Sequence, residues 1–311
     1  MGGPPGEPGR GRRAGQRRLR AVSPRDGPAR EHHRGPHRRR GADAAPVAGP
    51  GQGLSGGVAE AQKWPDVLWA VRHGESAANT ARQAAEAAGL GVIELAMRDP
   101  DVPLSLIGHR QAAALGRWFG GLAASRRPTA VLVSPYLRAR ETAERLLAAA
   151  EMTRLSVVAD ERLREREFGV FDGLTKRGIE ESFPDQAALR RRMGKFYFRP
   201  PGGESWCDVI LRLRSVLATL TRDYRRERVL VVAHQVVVLC FRYLLERMSE
   251  EELLAIDRAA DVANCSVTAF AFDRRQGRRG KLVLERYNFV APLEEAGEPV
   301  TTRPDAPAAP E

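Results

Sequence analysis

The run Val67-Leu68-Trp69-Ala70-Val71 is followed at once by Arg72-His73-Gly74-Glu75-Ser76, and this junction constrains the fold most. Five apolar residues bounded by polar ones are typical of a strand buried inside a sheet. A histidine directly after such a strand lies at the carboxyl edge of the sheet, where open α/β folds bind their ligands. We therefore expect His73 to be exposed at that edge, beside an Arg72 guanidinium suited to phosphate or carboxylate.

Two later apolar runs end in the same way. Residues 131–133 lead into Ser134-Pro135 and a helical stretch with Arg138 in its first turn, and residues 229–233 lead into His234. A helix start at a strand's carboxyl end aims free N–H groups and the positive dipole end at the crevice. Taken singly, Arg138 could be a solvated surface residue and His234 a core or capping residue. Two histidines at the ends of two parallel strands make coincidence a weaker explanation.

The segment from Leu163 to Gly169 supplies a candidate acid, Glu165. A carboxyl group among arginines and histidines that hold phosphate is repelled by the substrate's charge, so it tends to keep a proton and can donate it to a leaving alkoxide. The alternative is a solvated loop of alternating charge. Phe168-Gly169 favours a fixed, partly buried turn.

Five ordered motifs together resemble the histidine phosphatase superfamily, also called the phosphoglycerate mutase-like family. The resemblance covers residues 65–290. It is carried by these segments: Arg72-His73-Gly74-Glu75-Ser76 with Asn79; Ser134-Pro135 with Arg138 and Thr142; Leu163 to Gly169; Pro201-Gly202-Gly203-Glu204-Ser205; and Val232-Ala233-His234.

This resemblance implies a role for each matching residue. His73 is the nucleophile that becomes phosphohistidine, Glu165 is the proton donor, and the phosphate pocket is formed by Arg72, Arg138 and His234, with Asn79 as a further contact. Ser76, a small polar residue beside the nucleophile, is also able to bind an oxyanion. The mechanism needs no metal and no cofactor, because side chains meet the phosphoryl charge. The six histidines and three cysteines show no convincing metal-ligand spacing.

The favoured function is a phosphomonoesterase that acts on a small phosphorylated metabolite. A phosphoglycerate-type mutase is the nearest alternative, and a non-catalytic phosphate-binding regulatory protein is the other. Many relatives have glycine on both sides of the second histidine, whereas here it stands between Ala233 and Gln235. Arg164 replaces the small polar residue of the mutases, which weakens the mutase assignment. A pure binding protein would not need both a nucleophile and an acid.

Substrate choice is expected to lie in residues 80–103 and 172–200, which vary around such a site. The second region contains a cluster of positive charges, with aromatic residues 196–198 interleaved: Arg190, Arg191, Arg192, Lys195 and Arg199. This cluster could bind a second phosphate or a carboxylate, and a solvated helix face explains it equally well.

The coarse order of elements alternates between strand and helix. We predict strands at 67–71, 130–134, 156–159 and 228–233, and helices at 105–123, 136–150, 176–195, 204–226 and 236–247. Residues 264–272 and 282–290 are predicted to form an edge hairpin. This alternation indicates an α/β fold with three layers, α/β/α, around a mostly parallel central sheet, like that of phosphoglycerate mutase.

Composition divides the chain into three parts: residues 1–62, 63–291 and 292–311. Residues 1–62 carry twelve Arg against five acidic residues and few large apolar side chains, so a disordered basic extension is expected. Residues 292–311 carry five acids against one arginine and are expected to be a disordered acidic, Pro-rich tail. The intervening domain is the predicted histidine phosphatase domain.

The chain has no apolar segment typical of a secretory signal or a membrane span. We expect a cytoplasmic enzyme without a membrane partner, whose partner is a small phosphorylated metabolite. The basic extension could bind nucleic acid or serve in targeting, but we favour a functionless extension and do not expect a nucleic-acid partner. The sequence leaves the oligomeric state open.

Overall fold

The computed structural model describes residues 2–3 and 62–302. The chain divides into two units, Met1–Gly57 and Val58–Glu311, and every helix and strand given below lies in the second. The predicted basic extension and the end of the predicted acidic tail lie almost wholly outside the described residues. No helix within the described part of the chain is long and apolar enough to cross a membrane.

A six-stranded sheet forms the centre of the second unit, with strand order β3-β2-β4-β1-β5-β6. Strands β1 to β4 run parallel, and β5 and β6 are antiparallel to their neighbours. This confirms the mostly parallel sheet and the edge hairpin. The strands are β1 Val67–Arg72, β2 Ala130–Val133, β3 Val157–Ala159, β4 Arg228–Ala233, β5 Val267–Asp273 and β6 Lys281–Phe289.

Helices connect these strands and cover both faces of the sheet. They are α1 Ala77–Ala87, α2 Leu106–Gly121, α3 Leu137–Ala149, α4 Lys176–Ser182, α5 Pro184–Met193, α6 Trp206–Asp223, α7 Gln235–Glu246, α8 Glu250–Ala259 and α9 Ala291–Glu295.

The two faces of the sheet pack into two separate apolar clusters. Successive side chains of a strand point to opposite faces. In β4, Val229 and Val231 accordingly join the cluster that contains α6 and α7, whereas Leu230 and Val232 join the cluster that contains α2 and α3. The central strands are apolar on both sides because both sides are covered. This confirms the predicted three-layer α/β/α fold.

The predicted helical region 176–195 is two helices rather than one. Phe183 ends α4 with a non-helical backbone, φ −135° and ψ 55°, and Pro184 begins α5. The proline ring disfavours the helical conformation for the residue before it, so the helix breaks there. Helices α1 and α8 were not predicted, although each begins with a capping box, Ser76 with Asn79 and Ser249 with Glu252.

The predicted start of the acidic tail at residue 292 needs correction. Residues 291–295 form α9, in which Leu293 is fully buried against the cluster that contains α2 and α3. Thr301 accepts a hydrogen bond from the Gln111 amide at 2.9 Å and donates one to Asn264 at 2.9 Å. The folded unit therefore continues past residue 291 as far as Thr301, because a few apolar and polar anchors suffice to dock a charged segment.

Candidate active site

His73 and His234 lie side by side at the carboxyl edge of the sheet. Parallel pairing aligns Arg72 with Ala233, so the next residue of each strand is a histidine. The His73 amide donates to the Ala233 carbonyl at 2.9 Å, and the two imidazole centroids are 5.1 Å apart. The structure thus brings together two residues that lie 161 positions apart in the sequence.

The prediction that His73 is exposed is wrong, since its accessible fraction is zero. The loop before β5 covers its backbone: the Asn264 side-chain amide donates to the His73 carbonyl at 3.1 Å, and the Cys265 amide donates to the Arg72 carbonyl at 3.0 Å. The Arg72 guanidinium is buried as well and donates to the Val262 carbonyl. This loop encloses the strand end that the sequence pattern left open.

The imidazole of His73 is held in one tautomer. Its Nδ1 lies 2.6 Å from the Gly74 carbonyl oxygen, which can only accept a hydrogen bond, so Nδ1 carries the proton. Its Nε2 then keeps a lone pair, and the Arg138 Nε donates to it at 3.3 Å. The nitrogen with the lone pair is therefore the one that faces the guanidinium.

Arg138 occupies the first turn of α3, as the sequence predicted, and is almost fully buried. Thr142 connects this helix to the loop after β1: its hydroxyl donates to the Arg138 carbonyl at 2.7 Å and accepts from the Gly74 amide at 3.0 Å. The guanidinium also contacts Asp99, which lies in a 3₁₀ turn at Asp99–Asp101. Nothing in the sequence pointed to Asp99, because no local pattern pairs residues 39 positions apart.

His234 is oriented by residues of the β2–α3 junction. Its Nε2 lies 2.7 Å from the Ser134 hydroxyl, and its ring meets the edge of Tyr136 with centroids 5.2 Å apart. The Tyr136 hydroxyl donates to Glu167 at 2.8 Å. Burial, reinforced by the Glu167 carboxylate, raises the pKa of Tyr136. Tyr136 therefore stays protonated and links His234 to the loop that carries Glu165.

Glu165 lies buried in the loop after the 3₁₀ turn Glu161–Leu163, and its carboxylate accepts from the Arg166 amide at 2.8 Å. Arg212 of α6 holds this loop, because its guanidinium donates to the backbone carbonyls of Arg162 and Glu165. The Glu204 carboxylate holds Arg212 in turn: one oxygen accepts from Arg212 Nε and the other from Arg212 Nη2, each at 3.1 Å.

Glu204 lies in one of the motifs that carried the family resemblance, but the sequence reading gave it no role. It also accepts from the Glu167 amide at 3.2 Å. We call the binding of Arg212 to both Glu204 and the loop of Glu165 the Arg212 clamp. The sequence signal that could have identified it is a glutamate just before a predicted helix with an arginine eight residues later.

Ser76 and Asn79 cap α1. The Ser76 hydroxyl donates to the Asn79 side-chain oxygen at 2.9 Å and accepts from the Asn79 amide at 3.2 Å. The same side-chain oxygen accepts from the Ser76 amide at 2.9 Å. The Ser76 hydroxyl is thus engaged in the cap, and its phosphate contact stays a prediction, as does that of Asn79.

The basic cluster of residues 190–199 separates into three kinds of side chain. Arg199 pairs with Asp208 and Lys195 with Asp257. Arg191 and Arg192 are exposed, whereas Arg190 is buried, as is Arg166 of the loop that carries Glu165. Burial, reinforced by the charge of Arg166, lowers the pKa of Arg190 to about 10.

Comparisons with known proteins identify the family to which the chain belongs. The model of the histidine phosphatase superfamily, branch 1, matches residues 68–284. A chicken 6-phosphofructo-2-kinase/fructose-2,6-bisphosphatase is 33% identical over 188 residues, which cover 60% of this chain and 34% of that protein. The chain therefore spans about a third of the length of this curated relative.

Two solved structures are similar throughout their length. A mycobacterial glucosyl-3-phosphoglycerate phosphatase is 26% identical with a TM-score of 0.55, covering 72% of this chain and 99% of that one. An α-ribazole-5'-phosphate phosphatase of Escherichia coli, described as putative, shares the fold with a TM-score of 0.56 at 22% identity, covering 72% of this chain and 98% of that one. With the family's model matched from the first strand to the last, the chain belongs to the histidine phosphatase superfamily, branch 1.

Proposed function

We propose that the protein is a phosphomonoesterase that hydrolyses a small phosphorylated metabolite through a phosphohistidine on His73. The single observation that carries the proposal is the state of His73: Nδ1 is bound to the Gly74 carbonyl, and Nε2 faces Arg138. A nucleophilic imidazole needs a fixed proton on one nitrogen and a lone pair aimed at the phosphorus.

In the first step, His73 Nε2 attacks phosphorus in line, and the bond from phosphorus to the ester oxygen breaks. Glu165 protonates the departing alkoxide, so the alcohol leaves neutral. In the second step, Glu165 as base takes a proton from water, and the hydroxide attacks the phosphohistidine, releasing inorganic phosphate and restoring His73. Arg72, Arg138 and protonated His234 stabilise the charge on the phosphoryl oxygens.

We further propose that the reaction needs no metal, because these side chains supply the positive charge. In residues 2–3 and 62–302, the structure has no group of three or more His, Cys, Asp or Glu residues placed to hold an ion. The cysteines Cys207, Cys240 and Cys265 are free thiols. Free thiols suit a reducing compartment, which supports the proposal that the enzyme acts in the cytoplasm.

The substrate we favour is a sugar phosphate or a related metabolite with a second anionic group. Relatives whose names include fructose-2,6-bisphosphatase and glucosyl-3-phosphoglycerate phosphatase support this class. The buried guanidiniums of Arg166 and Arg190 are the candidates for contact with that second group, because a buried cation is stabilised by an anionic partner. The mutases have a small polar residue at the position of Arg164, whereas here the arginine donates to Glu204 at 2.6 Å. This difference favours a hydrolase over a mutase.

The decisive experiment is to trap the intermediate. The wild-type protein incubated with a ³²P-labelled phosphate ester should retain acid-labile, base-stable label, and His73→Ala should retain none at an unchanged thermal midpoint. Activity on p-nitrophenyl phosphate should fall by several orders of magnitude in this variant and should survive EDTA in the wild type. Normal turnover by folded His73→Ala would reject the proposal.

A panel of phosphorylated metabolites, assayed with and without 2,3-bisphosphoglycerate, separates the alternatives. Phosphate release without the bisphosphate supports the hydrolase. Isomerised product that requires the bisphosphate would identify a mutase, and binding without any turnover would identify a regulatory phosphate-binding protein.

A further inference from the structure

Asp99 engages the terminal nitrogens of the arginine that faces the nucleophile. Its carboxylate lies 3.0 Å from Arg138 Nη1 and 3.3 Å from Nη2, and its backbone carbonyl accepts from Nη1 at 2.7 Å. Arg138 Nε donates to His73. The guanidinium nitrogens of Arg138 therefore have different partners: Nε donates to the His73 imidazole, and both terminal nitrogens contact Asp99.

The segment that carries Asp99 is anchored to the rest of the domain at both of its ends. Ile93 is buried and its amide donates to the Gly173 carbonyl, and Val102 is fully buried. Residues 94–98 between them are exposed or half-buried. Asp99 itself is 28% exposed in its side chain, whereas Arg138 is 2% exposed. The carboxylate thus reaches the guanidinium from the solvent side of the site.

A phosphate bound at His73 needs the same nitrogens. Guanidinium binds phosphate through two parallel N–H···O bonds, and a carboxylate satisfies that geometry equally well. A carboxylate and a phosphate that share one fork also repel each other, because both carry negative charge. Substrate binding at Arg138 must accordingly displace the Asp99 carboxylate.

We propose that Asp99 is an affinity-determining residue that competes with the substrate phosphate for Arg138. The inference rests on the proposed function, since it takes Arg138 as a phosphate contact. It goes beyond that function by assigning a negative side chain of this chain to the phosphate pocket. Asp99 weakens the binding of every phosphoryl group and of the inorganic phosphate product, and thereby limits product inhibition.

Asp99→Asn tests the proposal because it removes the charge and keeps the backbone carbonyl bond to Arg138. The inhibition constant of inorganic phosphate should fall about fivefold, the size expected for loss of one partly exposed ion pair. The KM for p-nitrophenyl phosphate should fall by a similar factor, with kcat within about twofold of wild type. An unchanged or raised inhibition constant would overturn the proposal. A lowered kcat would overturn it too, because Asp99 would then be a residue that positions Arg138.

Asp101→Asn is the matched control, since Asp101 lies in the same 3₁₀ turn and pairs with the exposed Arg98 at 2.7 Å. It removes the same charge and should leave the inhibition constant of phosphate and the KM for p-nitrophenyl phosphate unchanged. If Asp101→Asn lowered them as much as Asp99→Asn, the effect would be one of net charge alone, and the proposal would be overturned. A double-mutant cycle with Arg138→Ala should abolish the gain from Asp99→Asn.

Direct binding of inorganic phosphate by calorimetry keeps this test independent of catalysis. If the protein proves to have no phosphatase activity but Asp99→Asn still tightens phosphate binding, the competition stands and the proposed function falls. Asp99→Ser provides a second neutral variant if Asp99→Asn does not fold.

Discussion

Glu165 and Arg138 have different tasks in the proposed reaction, and their variants should differ by substrate. Glu165→Gln removes the proton donor, so we expect kcat for alkyl phosphates to fall about 10²- to 10⁴-fold, and far less for p-nitrophenyl phosphate. The nitrophenolate leaves without much help from an acid. Rates for both esters in the same buffer give the comparison.

Arg138→Ala removes charge stabilisation that every phosphoryl substrate needs, so both esters should lose about 10²- to 10³-fold. Equal damage to both esters from Glu165→Gln would move the acid elsewhere, with Glu167 the first candidate. Glu167 is bound to Tyr136, so its own variant would also disturb the contact with His234.

Among the elements, α6 positions the loop of the proposed acid through Arg212. Arg212→Lys keeps a positive charge for Glu204 but cannot make the set of bonds to the Arg162 and Glu165 carbonyls. We expect about a tenfold to hundredfold loss in kcat for alkyl phosphates, with KM and the rate for p-nitrophenyl phosphate little changed.

The control on the same helix is Arg214→Lys, because Arg214 is exposed. It should behave as wild type with both esters. If Arg212→Lys slowed both esters equally, or lost activity in proportion to a lower thermal midpoint, Arg212 would be a structural residue only.

For the whole molecule, the segment after β6 completes the support of the nucleophile. Thr301 binds Asn264, and Asn264 donates to the His73 carbonyl. A chain that ends at Val290 loses the buried Leu293 and the bonds that Thr301 makes to Asn264 and Gln111, so its free energy of unfolding should fall by about 2–4 kcal/mol. Chemical denaturation measures this change, and kcat should fall with it.

A chain that ends at Thr302 keeps all of these contacts and should match the full-length protein in stability and kcat. Equal stability of the chains ending at Val290 and Thr302 would show that the segment contributes nothing to folding.

The sequence by itself determined the parallel sheet and the placement of His73 and His234 at the ends of buried strands. Apolar runs of strand length, each ending in a histidine, carry this information locally, because burial on both faces requires apolar residues at every position. The edge hairpin and the position of Arg138 at the start of α3 follow from equally local patterns.

Tertiary structure alone decided how the strand end is enclosed. The burial of His73 by the loop before β5, the docking of residues 291–301, the Arg212 clamp and the contact of Asp99 with Arg138 join residues that are distant in sequence. No periodicity encodes such contacts, because they depend on where loops close and which way long side chains point. The sequence thus placed the reactive groups, and the folded chain decided what surrounds them.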